Sequence, residues 1–158
     1  MFIKKIEKDD LLIWESLARS EFLDEDFCTK DYIIDSWNCI DGRILMSNEN
    51  EWIGCFFSST QQFDFNTGGV HFLQICIFPK YRGKGYSKHL MKIGFDRSMG
   101  SQKSACISSE NTVSINLFLK YGFKKTGVYK TWDVYICDKN YYPNEFLENK
   151  NGFINLNK

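Results

Sequence analysis

The residues best placed to do chemistry lie in "IFPKYRGKGYSKHLM", Ile77 to Met91, where an apolar run stops at Pro79, passes two glycines set among cations, and resumes at helical spacing. Gly83 and Gly85 are free to take positive φ and to present bare backbone, so successive N–H groups can converge on one concavity. A helix beginning there adds the partial positive charge of its N-terminus, and Lys80, Arg82 and Lys84 add full charges. The ligand that suits such a loop is a phosphate or pyrophosphate. A plain strand-to-helix turn with solvated lysines has the same local composition. Two familiar phosphate loops are excluded by spacing. A P-loop needs G-x-x-x-x-G-K-(S/T), and a dinucleotide fingerprint needs G-x-G-x-x-G near the first strand, whereas this loop reads G-x-G-x-x-K after the fourth strand expected here.

The elements that must position this loop follow from periodicity. "FIKKI" at 2–6 reads as a strand, and Asp9 or Asp10 is offered as N-cap for an amphipathic helix through about Phe22. A second helix starts at Thr29, with Tyr32, Ile33, Ser36, Trp37 and Ile40 along one side. "RILMS" and "EWIGCFFSST" pair as a hairpin, and Val70 to Phe78, entered through Gly68 and Gly69, is a further strand. Helical spacing runs from Gly85 to Arg97. "KSACIS" is a buried strand, "NTVSINLFLKYG" a helix closed by Gly122, and two strands follow through Cys137. This order predicts a mixed α/β domain around one twisted sheet over residues 1–137, followed by an Asn-rich tail at 138–158 whose aromatics can dock on the body.

At 158 residues the chain fits one domain. Its 20 cations balance 20 anions, so no global field gathers nucleic acid and electrostatic recognition must be local. The 6 cysteines form no Cys-x-x-Cys pair and only 2 histidines accompany them, so no metal site is expected. Cys55, Cys76 and Cys137 sit in apolar runs and read as small buried hydrophobes, reduced in a cytosol. "MFIKKIEKDDLLIW" is not a signal peptide, and no stretch approaches the roughly 20 apolar residues that span a bilayer. The expectation is a soluble cytoplasmic protein with no membrane partner.

Strand, "PKYRGKGYS", helix, strand and the helix of "ENTVSINLFLKYGF" together resemble the GNAT superfamily of acetyl-CoA-dependent N-acetyltransferases. The family's phosphate loop is (Q/R)-x-x-G-x-(G/A), and Arg82, Gly85 and Ser87 fall on its fixed positions, Ser87 replacing the usual small residue. Asn111, Ser114, Phe118, Gly122 and Phe123 match the family's N-x-x-A-x-x-x-Y-x-x-x-G-F block, with Phe118 where a tyrosine is usual. The resemblance covers about residues 1–137 and implies a central mixed sheet of about seven strands with helices on both faces.

It also implies roles. Backbone N–H groups of residues 82–87, including Arg82, Gly83, Lys84, Gly85, Tyr86 and Ser87, would hold the pyrophosphate of coenzyme A. Its pantetheine arm would lie along the strand near Ile77, and Asn111 and Phe118 would border the arm. An amine then attacks the thioester directly, and the N–H of Ile75 donates to the resulting oxyanion, a contact of a kind worth about 2.7–4 kcal/mol. An alkyl ammonium with a pKa of about 10.4 must first lose a proton. His71 falls where some relatives carry a base, and period-two alternation puts it on one face with Leu73, Ile75 and Ile77; a water chain is the alternative. Phe118 has no proton to give the leaving thiolate. Tyr121, three residues on, is the substitute acid, with helix-end packing as its other reading, and Tyr86 is a weaker candidate.

The acceptor implied is an amine-bearing small molecule or peptide. A cationic one, such as a polyamine, is favoured if the acidic loop Glu21, Asp24, Glu25 and Asp26 walls the site rather than simply being solvated. Trp37, Trp52 and Trp132 either line that pocket or pack the sheet. Monomer and homodimer both fit. Because Phe118 cannot act as an acid, a catalytically weak coenzyme A-binding module, acting as sensor or scaffold, stands as the alternative to an active transferase.

Overall fold

The computed structural model describes residues 1–18, 30–65 and 68–148. Its elements are β1 (Phe2–Lys5), α1 (Leu11–Ala18), α2 (Lys30–Asp35), β2 (Ile40–Met46), β3 (Trp52–Ser59), β4 (Val70–Ile77), α3 (Ser87–Arg97), β5 (Lys103–Ile107), α4 (Thr112–Lys120), β6 (Lys124–Tyr129), β7 (Trp132–Cys137) and α5 (Asn144–Glu148). The strands form one 7-stranded sheet in the order β1-β2-β3-β4-β5-β7-β6. Neighbours are antiparallel except β4 and β5, which run parallel, as a strand–helix–strand crossover through α3 requires. This is the mixed α/β architecture of seven strands that the sequence implies.

Strand side chains alternate between two apolar layers. On one face Phe56, Phe72, Ala105 and Tyr135 pack with Leu90, Met91 and Phe95 of α3, Phe118 of α4 and Phe146 of α5. On the other, Ile44, Cys55, Phe57 and Cys76 pack with Leu11 and Trp14 of α1 and Ile33 of α2. Helix α3 lies very close to the sheet at Gly94, where a Cβ would meet Phe72 at 2.8 Å and Phe56 at 2.9 Å. Only glycine allows that approach.

Several boundaries differ from expectation. The N-terminal helical segment begins with a 3-10 turn at Lys8–Asp10. The Asp10 carboxylate is spent on the Glu7 N–H at 2.9 Å and the Lys4 ammonium at 2.7 Å, so it organises the turn rather than capping α1. Trp37 sits in a second 3-10 turn, past the end of α2. The expected course to Phe22, the start at Thr29, the acidic loop at 21–26 and Cys28 lie outside the described residues. Cys39, Cys55, Cys76, Cys106 and Cys137 are free thiols.

The segment after β7 packs back on the body. The Phe146 ring stacks on Tyr121 with centroids 5.2 Å apart, Tyr142 meets Phe95 edge-on, and Lys120 reaches Glu145 at 3.5 Å. Strand β6, beside β7, is one edge of the sheet. Its side chains from Lys124 to Val128 are all exposed, and its pairing with β7 shifts register between Lys125 and Gly127. No helix among the described residues is long and apolar enough to cross a membrane.

Candidate functional site

Strand β4 is the axis of the site. Its pairing with β5 covers Val70, His71 and Phe72, opposite Lys103, Ser104 and Ala105, and among the described residues it goes no further. Beyond that point the two parallel strands part. The departure coincides with a bulge: Phe57 opposes Gln74 while Ser58 opposes Phe72, so Leu73 is the extra residue. A bulge bends its strand and strengthens local twist, which accounts for the opening.

The remaining alternation decides which backbone groups line that opening. The Phe78 N–H donates to Ile53 of β3 at 3.0 Å, so in an antiparallel ladder Cys76 and Gln74 also turn their backbone groups to β3. Ile75 and Ile77 turn theirs the other way, into the gap left by β5. The Ile77 carbonyl is engaged there by Arg82 Nε at 3.0 Å, which ties the glycine loop to the end of the strand.

The loop itself is built around two left-handed residues, Gly83 at φ 73° and Gly85 at φ 76°. Nothing lies within 4 Å of where a Cβ at either would be, so the concave side is open. Helix α3 starts at Tyr86, which supplies no side-chain cap. The Arg82 N–H donates to the Pro79 carbonyl at 3.2 Å and so is already used. The N–H groups of residues 83 to 87 have no acceptor among the described residues. Unmet donors at a helix start, with the helix dipole behind them, fit an anionic group.

The three cations of the loop are not equivalent. Lys80 is spent on Glu51, which accepts from it at 2.8 and 2.9 Å and also from the Tyr81 hydroxyl. That pairing holds the Glu51 carboxyl below its usual pKa. Lys84 lies 5.6 Å from the Tyr81 ring centroid, within cation–π range. Glu51 carries no sequence signal of this role, because it comes from the β2–β3 turn and reaches the loop only through the fold.

At the other side of the opening, Asn111 caps α4, its Oδ1 accepting from the Ser114 N–H at 3.1 Å. The helix ends on Gly122 at φ 81°, with Gly122 N–H donating to Leu119 and Phe123 N–H to Phe118, both at 3.1 Å. These paired bonds are a Schellman closure. Between β4, the loop and α4 lies a cavity of about 430 Å³. Ile75, Cys76 and Ile77 form its inner wall, the loop and Tyr86 and Ser87 one end, and Asn111, Val113, Ser114 and Leu117 the far side. The donors, the open glycines and the strand-edge groups of Ile75 and Ile77 fit a long ligand with phosphates at one end and amides along its length.

The sequence-derived residues therefore divide. Ile75, Ile77, Arg82, Gly83, Gly85, Tyr86, Ser87 and Asn111 line one cavity, with Lys84 at its rim over Tyr81. His71, Tyr121 and Phe118 are elsewhere. Because Leu73 is a bulge, alternation does not carry from His71 to Ile75, and the expected shared face is corrected: Ile75 and Ile77 lie on the α3 side, Leu73 on the α1 side. His71 is buried against the stacked rings of Phe63 and Phe65. Its Nδ1 pairs with Ser104 Oγ at 3.0 Å, and burial lowers its pKa to about 4. Phe118 is turned into the core against Phe72 and Phe123. Tyr121 is buried against Phe146, and burial, then Glu145, raises its pKa. The helical phase that sends Val113, Ser114 and Leu117 to the cavity sends Phe118 inward.

Comparisons with known proteins agree with this geometry. Residues 10–123 match the model of the acetyltransferase (GNAT) family. No curated protein matches. Among solved structures, the PaiA N-acetyltransferase of Thermoplasma acidophilum in complex with coenzyme A is similar at 16% identity and TM-score 0.66, covering 86% of this chain and 97% of that one. Spermidine N-acetyltransferase from Vibrio cholerae in complex with CoA and spermine is similar at 18% identity and TM-score 0.61, covering 85% and 91%. A chimera of that Vibrio cholerae enzyme, SpeG, with hSSAT gives 16% identity and TM-score 0.65, covering 92% and 96%. At these identities the structural likeness speaks to the fold, and the family model, which spans most of the chain, carries the assignment: the chain belongs to the acetyltransferase (GNAT) family.

Proposed function

We propose that the protein transfers the acetyl group of acetyl-CoA to a primary amine by direct attack on the thioester. The observation that carries this reading is the continuity of one cavity from the unmet N–H groups of residues 83–87 to the strand-edge groups of Ile75 and Ile77. In this reading the donors of Gly83, Lys84, Gly85, Tyr86 and Ser87 hold the pyrophosphate. Arg82 braces the loop on Ile77, and Asn111 offers its amide nitrogen to the arm while its oxygen caps α4. Acetyl-CoA supplies the activated acyl carbon.

The N–H of Ile75 acts as the preorganised donor to the oxyanion that forms when the amine adds. Water, rather than His71, takes the amine's proton. The support for this is the imidazole's burial, its bond to Ser104 and a pKa near 4, more than six units below that of an alkyl amine at about 10.4. The thiolate, with a thiol pKa of about 8.5, is a good enough leaving group to depart without an acid, and Tyr86 is the candidate acid that lines the cavity. Tyr121 packs the end of α4 instead.

A second reading is favoured by the same absences. With His71 and Tyr121 both turned away, the chain would bind coenzyme A without efficient turnover and act as a sensor. The test is release of free thiol from acetyl-CoA over a panel of polyamines, aminoglycosides, amino acids and peptides. Amine-dependent release supports the transferase. Tight acetyl-CoA binding with no release from any amine overturns it in favour of the sensor.

A further inference from the structure

Gln74 carries a polar group that nothing among the described residues uses. Its side chain is 5% exposed, on the α1 face of β4. Its Oε1 accepts from Trp14 Nε1 at 2.9 Å and from Cys55 Sγ at 3.5 Å. An indole N–H can only donate, so Trp14 fixes which end of the amide is oxygen. The Nε2 donors consequently point elsewhere, and that buried nitrogen has no hydrogen-bond partner among the described residues. Buried donors are almost always paired, because leaving one unmet costs stability.

Position gives the group a use. Gln74 immediately precedes Ile75, whose N–H is assigned to the oxyanion in the reading above, and this inference rests on that reading. In the reading above the acyl donor lies between the loop and α4, and the amine reaches Ile75 from the other face of β4, the face on which Gln74 meets Trp14. The cavity wall already includes Cys76, which opposes Cys55, and Cys55 touches the Gln74 amide.

We propose that Gln74 determines acceptor specificity: Nε2 donates a hydrogen bond to an oxygen of the acceptor, which is an amine of the α-amino carbonyl class rather than a polyamine. A protonated polyamine brings only further N–H donors to this point, and donor would face donor. A carbonyl or carboxylate oxygen three bonds from the reacting nitrogen gives Gln74 Nε2 an acceptor. It also fixes the direction of the nitrogen lone pair.

The test compares alaninamide with sec-butylamine, its match in shape without the oxygen, and with spermidine, by thiol release at saturating acetyl-CoA, with rates referred to the neutral amine. In the wild-type protein kcat/KM for alaninamide should exceed that for sec-butylamine by about 10- to 100-fold. Gln74→Met should collapse the ratio towards unity while the acetyl-CoA Kd by calorimetry is unchanged. A wild-type ratio near one, or a preference for spermidine, overturns the proposal without the variant. A ratio preserved in Gln74→Met overturns it equally. Silence with all three amines and the wider panel instead overturns the transferase reading, and this inference with it.

Discussion

Helix α4 starts on Asn111, whose Oδ1 accepts from the Ser114 N–H at 3.1 Å, whereas α3 starts on Tyr86, which offers its first turn no side-chain acceptor. Both helices border the same cavity. The difference lies in where the unmet donors of a helix start are satisfied: by the chain itself in α4, by something brought in from solution in α3. The same contrast recurs on β4. His71 Nδ1 is paired with Ser104, while Gln74 Nε2, three residues on, has no partner among the described residues. Internally satisfied groups hold the frame, and unsatisfied ones mark where ligand is expected.

The largest break in this contrast is Gly85→Glu. It forces a side chain into a left-handed position, φ 76°, and puts a carboxylate among the free donors. Acetyl-CoA affinity should fall about 100-fold or more by calorimetry; an unchanged Kd would remove the phosphate assignment from the loop.

A smaller effect belongs to His71. Its folded pKa of about 4 lies below the unfolded value of 6.5, because burial disfavours the imidazolium. The neutral ring's contribution is full above the unfolded value and is lost as pH falls from about 6.5 through about 4. Between pH 7 and pH 5 the wild-type protein should lose on the order of 2 kcal/mol more stability than His71→Gln, read from urea midpoints. Equal losses would mean that the imidazole is not held neutral in the fold.

Asn111→Ala tests the capped side. Loss of the cap should cost about 1 kcal/mol of stability, and glycine there should restore most of it. If Asn111→Ala costs no stability yet weakens acetyl-CoA, the residue serves the cavity and not the helix. The smallest change expected is Lys84→Ala. Its exposed ammonium should be worth only a few-fold, about 0.5 kcal/mol, in acetyl-CoA affinity at low salt, with the difference fading as ionic strength rises.

Much of this frame was legible in the chain. The strand, glycine loop and helix from Val70 to Arg97 read directly from composition and period, as did Gly122 as a helix end, since each rests on local backbone preference. Leu73 was not legible. A bulge made of a leucine has no composition signal, so period two extended falsely from His71 to Ile77. Phe118 was misplaced for a related reason: aligning it with a tyrosine that faces the reaction says nothing of the helix rotation that buries it here. The Trp14 to Gln74 bond spans 60 residues. Each partner alone reads as an ordinary core or strand residue, and the group that stands out exists only once α1 is laid over β4.

The exposed outer strand β6 has a consequence for the protein as a colloid. A strand open along one side is a template on which another copy can extend the ladder, and the usual guards against that are charge and irregularity. Lys124 and Lys125 begin the strand, and the register breaks just past them before Gly127. Lys125 is also drawn to Asp133 of β7, at 2.8 Å. A lysine engaged in this way guards the rim less well than a free one. Crowding and high salt, which screen Lys124, would therefore tell at this margin of the molecule, none of whose residues lines the cavity.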